Sequence, residues 1–221
     1  MKKIITIVTV IVIIIVIFFI KINYKSLKNG NNMSNKSTKE ITQYILDINS
    51  YEAEAQVLIE SNKNSNKYKI KEKYSKDNNV FKREILEPEN LNGVSFIYDG
   101  TNLMVQNSAL NLNKIYENYP YIGENNITLM DFVNDYKESN ETNVSENEEE
   151  IVLEVKIKNS NKYIAYKKLF IDKAQGKISK LEIQDITQKT IIYILYNEIK
   201  INNLQKDDIL AFKLKEIKND I

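Results

Sequence analysis

The chain has 221 residues, 43% of them hydrophobic, and a formal net charge of +1 from 31 basic and 30 acidic side chains. Such a length buries one sizeable core, and the balanced charge gives no reason to expect nucleic-acid binding. The sequence contains no Cys, His or Trp. Without Cys and His there is no thiol nucleophile and neither the commonest general base nor the commonest zinc ligand. We therefore expect no enzyme, no cofactor and no metal.

The N-terminal segment, residues 1–21, is predicted to be an uncleaved transmembrane anchor. Two lysines precede an uncharged run from Ile4 to Ile20, and Lys21 follows it. At about 1.5 Å per residue the run spans roughly 25 Å, near the short end for a helix that crosses a bilayer. A cleaved signal peptide is the alternative, although no A-x-A-like site follows the run. We expect residues 22–36 to be a polar tether and residues 37–221 to form one exported domain.

A helix is predicted directly after the tether. Ser37 stands three residues before Glu40, which is the spacing of a capping box. Apolar side chains then recur with the helical period, at Ile41, Tyr44, Ile45 and Ile48. From Tyr51 onwards the apolar period changes to two, and it continues past the turn "SNKNSN" as far as Tyr74. This alternation predicts two antiparallel strands with one face exposed to water.

Further strands and one more helix are predicted along the rest of the chain. The helix is capped by Thr128 and places Leu129, Phe132, Val133 and Tyr136 on one face. The expected fold is α+β but mainly β, with about nine to eleven strands in a strongly curved antiparallel sheet. The predicted strands cover residues 80–86, 94–98, 102–107, 150–158, 162–171, 177–185 and 190–201.

Three acidic stretches are candidates for chemistry. Glu87 and Glu89 flank Pro88, but the hydrophilic surroundings favour a loop over a glycosidase-like carboxylate pair. Asp99 and Gly100 predict a hairpin turn, because glycine tolerates a positive φ, and Asp99 as a metal ligand or base is the alternative. Residues 137–150 hold six glutamates and are interpreted as a solvated loop, with a docking patch or a weak cation site at Glu148, Glu149 and Glu150 as the alternative.

Two blocks of the sequence resemble a known family. Residues 51–112 contain a strand pair, the loop "EPENLNG" and the hairpin "YDG", and a second block begins "YKKLFIDKAQGKISKLEIQD". In this order they resemble the LolA-like lipoprotein-carrier superfamily, and within it the GerS-type sporulation and germination proteins of clostridia. Those proteins are typically lipid-anchored through a Cys, which this chain lacks. The many Asn, Ile and Lys residues suit a low-GC bacterium, and a low-GC Gram-positive cell has no outer membrane to which lipoproteins could be carried.

The resemblance implies an incomplete, half-open β-barrel with helices covering its concave face. It also implies a protein on the outer face of the cell membrane, or between the mother-cell and forespore membranes, that binds a cortex-modifying N-acetylmuramoyl-L-alanine amidase or another envelope protein. The alternative is a carrier that takes up lipid acyl chains in an apolar cavity. The candidate residues that line this cavity or face the partner are Ile41, Tyr44, Ile45, Phe96, Tyr98, Phe132 and Tyr136.

Overall fold

The computed structural model describes residues 36–204, apart from 62, 78, 120–126 and 159, together with residue 209. This part of the chain contains two α-helices, which are α1 (Thr38–Leu46) and α2 (Leu129–Glu138). Its eleven strands are β1 (Ser50–Glu60), β2 (Ser65–Ser75), β3 (Val80–Glu87), β4 (Val94–Tyr98), β5 (Leu103–Asn107), β6 (Leu112–Tyr116), β7 (Thr142–Glu146), β8 (Glu150–Lys156), β9 (Tyr166–Asp172), β10 (Lys177–Gln184) and β11 (Thr190–Ile201).

All eleven strands form one curved, open antiparallel sheet in the order β6-β5-β4-β3-β2-β1-β11-β10-β9-β8-β7. Two meanders, β1 to β6 and β7 to β11, are joined where β1 pairs with β11, from Tyr51 opposite Ile201 to Ile59 opposite Ile192. The two outermost strands, β6 and β7, follow one another in sequence. Their connection must therefore cross the sheet, and it carries α2 with it.

Both helices begin at capping boxes; the sequence predicted the box at Ser37 and identified Thr128 as an N-cap. In α1 the Ser37 hydroxyl accepts a hydrogen bond from the Glu40 backbone N–H, and the Glu40 side chain accepts one from the Ser37 backbone N–H in return. In α2, Thr128 and Asp131 make the same reciprocal pair. Because these bonds satisfy N–H groups that have no partner within the helix, they fix where each short helix starts.

The core lies between the two helices and one face of the sheet, which we call the helix face. Ile41 and Ile45 of α1 and Phe132 of α2 are at most 1% exposed, and they pack against the inward side chains of β1, β2 and β8–β11. The alternation of buried and half-buried residues along β8 and β9 confirms the predicted two-residue period. Burying each large aliphatic side chain contributes about 1.5–3 kcal/mol. Most of the stabilising burial is therefore in the half of the sheet that the helices cover.

Two strands lie where the sequence predicted none. Residues 112–116, for which no element was predicted, form β6, and residues 142–146, inside the predicted acidic loop, form β7. All ten residues of these strands are exposed. Neither strand has a buried face, so neither shows the apolar alternation by which the others were recognised.

Two of the predicted loops, the Asp99–Gly100 turn and the loop that ends at Gly93, are present in the structure. Asp99 and Gly100 lie in the turn between β4 and β5, where the Asp99 carboxylate accepts backbone hydrogen bonds from Thr101 and Asn102. Gly93 closes the loop after β3 with φ +81°, and a Cβ there would lie 2.4 Å from Ser108 Oγ. Only glycine fits this combination of backbone angle and close approach.

The predicted anchor at residues 1–21 and almost all of the tether at residues 22–36 lie outside the described residues. Among the helices that are described, none has the length and apolar character needed to cross a membrane.

Candidate partner-binding surfaces

The candidate residues on the helices lie together in the core. Ile41, Ile45 and Phe132 are fully buried, whereas Tyr44 and Tyr136 are partly buried and pack against the same cluster. The rings of Phe132 and Tyr136 are 5.8 Å apart between centroids. These side chains fill the space between the helices and the sheet.

Phe96 and Tyr98 of β4 lie on the helix face of the outer half of the sheet, strands β3 to β6. Their register places Phe96 opposite Arg83 and Tyr98 opposite Phe81, and Arg83 and Phe81 continue the inward rows of β1 and β2. Tyr98 is 7% exposed, whereas Phe96 is half-buried. In the outer half the helix face therefore keeps partly exposed apolar surface.

A buried carboxylate lies between the two halves. Glu72 of β2 is 5% exposed, and its Oε2 accepts hydrogen bonds from Arg83 Nε at 2.8 Å and Arg83 Nη2 at 2.6 Å. Its Oε1 accepts a hydrogen bond from the Tyr51 hydroxyl. Burial, and then the nearby Glu72 carboxylate, raise the pKa of Tyr51 well above its ordinary value. Tyr51 therefore stays a neutral donor, and the three side chains satisfy the polar groups that β1–β3 bury here.

Helix α2 carries a second set of buried charges. The Lys167 side chain is 5% exposed, and its Nζ lies 2.6 Å from Asp135 Oδ2. Asp131 is also 5% exposed and accepts hydrogen bonds from the Thr128 backbone N–H at 2.9 Å and hydroxyl at 2.7 Å. Burial raises the pKa of Asp131 to about 7, against the opposing effect of Lys167 and Thr128. These polar contacts orient α2 on β9.

Strand β6 and the turn before it form the most exposed apolar segment of the described chain. Every residue from 108 to 118 is exposed, including Leu110 at 64%, Leu112 at 60% and Ile115 at 52%. Tyr116 is 38% exposed, and Lys114 Nζ lies 4.7 Å from the centre of its ring. Sequence reasoning missed this segment. The alternation of Leu110 and Leu112 with asparagine was the signal that could have indicated it.

A cavity of about 370 Å³ lies beside β6 on the face of the sheet that the helices leave uncovered. Its apolar wall comes from Ile97, Met104 and Ile115. Its remaining lining consists of Asp99, Asn102, Glu117 and Asn118. Because Ile115 belongs both to this cavity and to the exposed segment, the apolar surface of β6 continues around the edge of the sheet.

The acidic stretches do not form a reactive site in the described residues. Glu87 is the exposed last residue of β3, and Glu89 is exposed in the 3₁₀ turn that follows, where the loop was predicted. The backbone N–H groups of Glu149 and Glu150 donate to the Asn147 side chain in a tight turn. Across the described part of the chain, no three acidic side chains are grouped so that they could hold a metal ion.

The architecture defines a fold class: a mainly β protein built on a curved, open antiparallel sheet with two helices packed on one face. Within this class the sequence identifies the family. The model of the sporulation protein YdcC-like family matches residues 2–210, so the chain belongs to that family. No curated protein sequence matches the chain significantly.

Solved structures similar to the chain come from several bacteria. A chain from the Clostridioides difficile CwlD amidase in complex with the GerS lipoprotein matches at 26% identity and a TM-score of 0.46, over 72% of this chain and 91% of that one. An uncharacterised conserved protein of Thermus thermophilus matches at 14% identity and 0.48, over 79% and 93%. The LolA superfamily protein NE2245 of Nitrosomonas europaea matches at 13% and 0.41, over 78% and 97%.

Proposed function

We propose that this chain is a membrane-anchored, non-catalytic binding protein that works outside the cytoplasm during sporulation or germination. Its partner is a cortex-modifying N-acetylmuramoyl-L-alanine amidase, whose activity it supports. The observation that carries this proposal is the match of almost the whole chain, residues 2–210, to a sporulation family. The choice of an amidase comes from the resemblance of the sequence to GerS-type proteins.

Two features of the molecule support a binding role. The space between helices and sheet is occupied by fully buried side chains such as Ile41 and Phe132, so this region is a packed core. The exposed apolar segment around β6 remains available at the surface, and contiguous exposed apolar residues are typical of protein interaction sites. The chain would therefore bind its partner through its surface.

The second candidate is a lipid or lipoprotein carrier. It is favoured by the half-buried apolar side chains on the helix face of the outer half, which include Ile85, Phe96 and Val105. An acyl chain could lie along this row, because buried CH₂ groups contribute about 0.8 kcal/mol each. The two candidates differ in the molecule that accompanies the purified protein.

The test uses the full-length chain, purified in mild detergent from sporulating cells. For the first candidate we expect it to bind the purified sporulation amidase of the same organism in a calorimetric titration and to raise the rate of muropeptide cleavage. For the second we expect mass spectrometry to detect stoichiometric lipid and the titration to show no binding. Resistance of the chain to alkaline extraction from membranes tests the anchor, because a peripheral protein is released.

A further inference from the structure

The two edges of the sheet differ in how they are protected. An edge strand exposes N–H and C=O groups that can pair with another chain, and proteins commonly protect such edges with charge. At one edge, β7 contains one large exposed apolar residue, Val144, and lies within a strongly acidic segment. At the other, residues 110–116 contain four of the eight large exposed apolar residues of the described chain. The β6 edge therefore presents a single charge, Lys114, among several exposed apolar side chains.

The apolar side chains of β6 lie on both faces of the sheet. Leu112 and Tyr116 pair with Asn107 and Leu103 of β5 and point to the helix face, whereas Ile115 pairs with Met104 and points to the opposite face. A partner resting on one face of the sheet would cover only one of these sets. A strand added alongside β6 would contact both sets, and its backbone would take up the edge hydrogen bonds.

Lys114 specifies the charge of such a strand. It lies between Leu112 and Tyr116 on the helix face, with its ammonium group over the Tyr116 ring. In an added antiparallel strand, opposite charges across a pair are stabilising and like charges are destabilising. A second copy of this chain, pairing β6 with β6 in the fully overlapping register, would place Lys114 opposite Lys114. A carboxylate at that position fits instead.

We infer that the outer edge of β6 is the site where a partner protein adds an extended strand that carries Asp or Glu opposite Lys114 and apolar residues opposite Leu112 and Tyr116. This inference rests on the proposed function only in requiring a protein partner. It also assigns the cavity beside Ile115 to the same interface, because Ile115 of β6 lines it.

The first experiment titrates the purified full-length chain with the sporulation amidase and compares two variants. Leu112→Lys/Ile115→Lys places charge on both faces of β6, and Val144→Lys is the matched control on β7. We expect the double variant to bind about ten-fold more weakly or worse, and the control to bind within about two-fold of the wild type. Lys114→Glu should weaken binding and reverse its salt dependence.

The outcomes separate the two proposals. If the wild type binds and Leu112→Lys/Ile115→Lys binds equally well, strand addition at β6 is wrong while the proposed function stands. A wild-type dimer in sedimentation that Leu112→Lys/Ile115→Lys dissociates would also overturn it, because the occupant would be a second copy. If the wild type does not bind the amidase, the amidase-binding function is wrong and a second experiment decides about β6.

The second experiment places p-benzoyl-phenylalanine at position 116 or at position 144 of the full-length chain in sporulating cells. We expect ultraviolet light to cross-link position 116 to another protein, Lys114→Glu to abolish that product, and position 144 to give none. The inference is wrong if position 116 gives no product, if its product survives Lys114→Glu, or if both positions give the same product.

Discussion

The two halves of the sheet share the same alternation of apolar and polar residues, but they differ in what covers the apolar face. In the helix-covered half, β1 and β8–β11, most inward apolar side chains are buried under α1 and α2, and the ends of β1 and β11 are partly buried. In the outer half, β3–β6, the same face carries half-buried apolar residues and ends in the exposed strand β6. The difference shows that alternation alone does not make a core. A row of apolar residues becomes core only where another element covers it, and elsewhere it remains available as a binding surface.

The largest expected effect comes from removing one aromatic ring from each half. Phe132→Ala deletes a fully buried side chain and should lower the free energy of unfolding by about 3–5 kcal/mol. Phe96→Ala deletes a half-buried side chain, which water already contacts, and should cost less than about 2 kcal/mol. Urea denaturation followed by circular dichroism measures both. Equal losses would show that the outer half is as tightly packed as the covered half.

A smaller effect is expected from the buried charge pair under α2. Asp135→Ala leaves Lys167 buried without its partner and should cost about 3 kcal/mol. Asp135→Ala/Lys167→Met removes both charges and should recover most of that loss. The matched control is Glu154→Ala, whose partner Lys168 lies next to Lys167 but points to the uncovered face; it should cost less than about 1 kcal/mol. Equal costs for the two single variants would contradict the inferred burial.

The stability of the helix-covered half should also depend on pH through Asp131. Its pKa is about 7 in the folded chain, against an ordinary value of 3.8. The folded state thus keeps this proton to higher pH than the unfolded state does. The contribution is fully present below about pH 4 and is lost as the pH rises through about 7.

Asp131→Asn isolates this effect, because the amide cannot ionise but keeps an oxygen that can accept from Thr128. We expect the unfolding free energy of the wild type, measured by urea titration, to fall more steeply between about pH 5 and pH 8 than that of the variant. The lowered pKa of Glu154, caused mainly by its hydrogen bond from Lys168, acts at more acidic pH and is common to both proteins. If the unfolding free energies of the wild type and Asp131→Asn changed with pH in parallel, the raised pKa of Asp131 would be contradicted.

The smallest effect on stability is expected at the two edges. Leu112→Lys/Ile115→Lys changes exposed side chains, as does Val144→Lys, so both should alter the unfolding free energy by no more than about 0.5 kcal/mol per substitution. Thermal denaturation measures this directly. A large loss in the β6 variant would mean that this edge is needed for folding, and its effect on partner binding would then need a milder substitution such as Ile115→Thr.

The sequence predicted helix starts and most strands well, because their signals lie within a few neighbouring residues or repeat along the chain. Both helix starts followed from capping signals, a capping box at Ser37 and an N-cap at Thr128, and most strands followed from alternation. The buried charges were missed because their partners are distant in sequence. Glu72 interrupts the apolar row between Ile70 and Tyr74, but only the pairing of β2 with β3 brings Arg83 to it. The candidate residues on the helices were identified by period, which cannot distinguish a cavity wall from a packed core.

The pairing of β1 with β11 has a consequence for the order of folding. Tyr51 pairs with Ile201, so the centre of the sheet joins the first and last strands of the described chain. The meander from β1 to β6 can form as soon as it is synthesised, but β1 keeps one open edge until the final strand arrives. Closing so long a loop is entropically costly and makes such topologies slow to fold. During that interval the nascent chain has a second pairing-competent edge besides β6, so it is most exposed to misassociation before its last strand is complete.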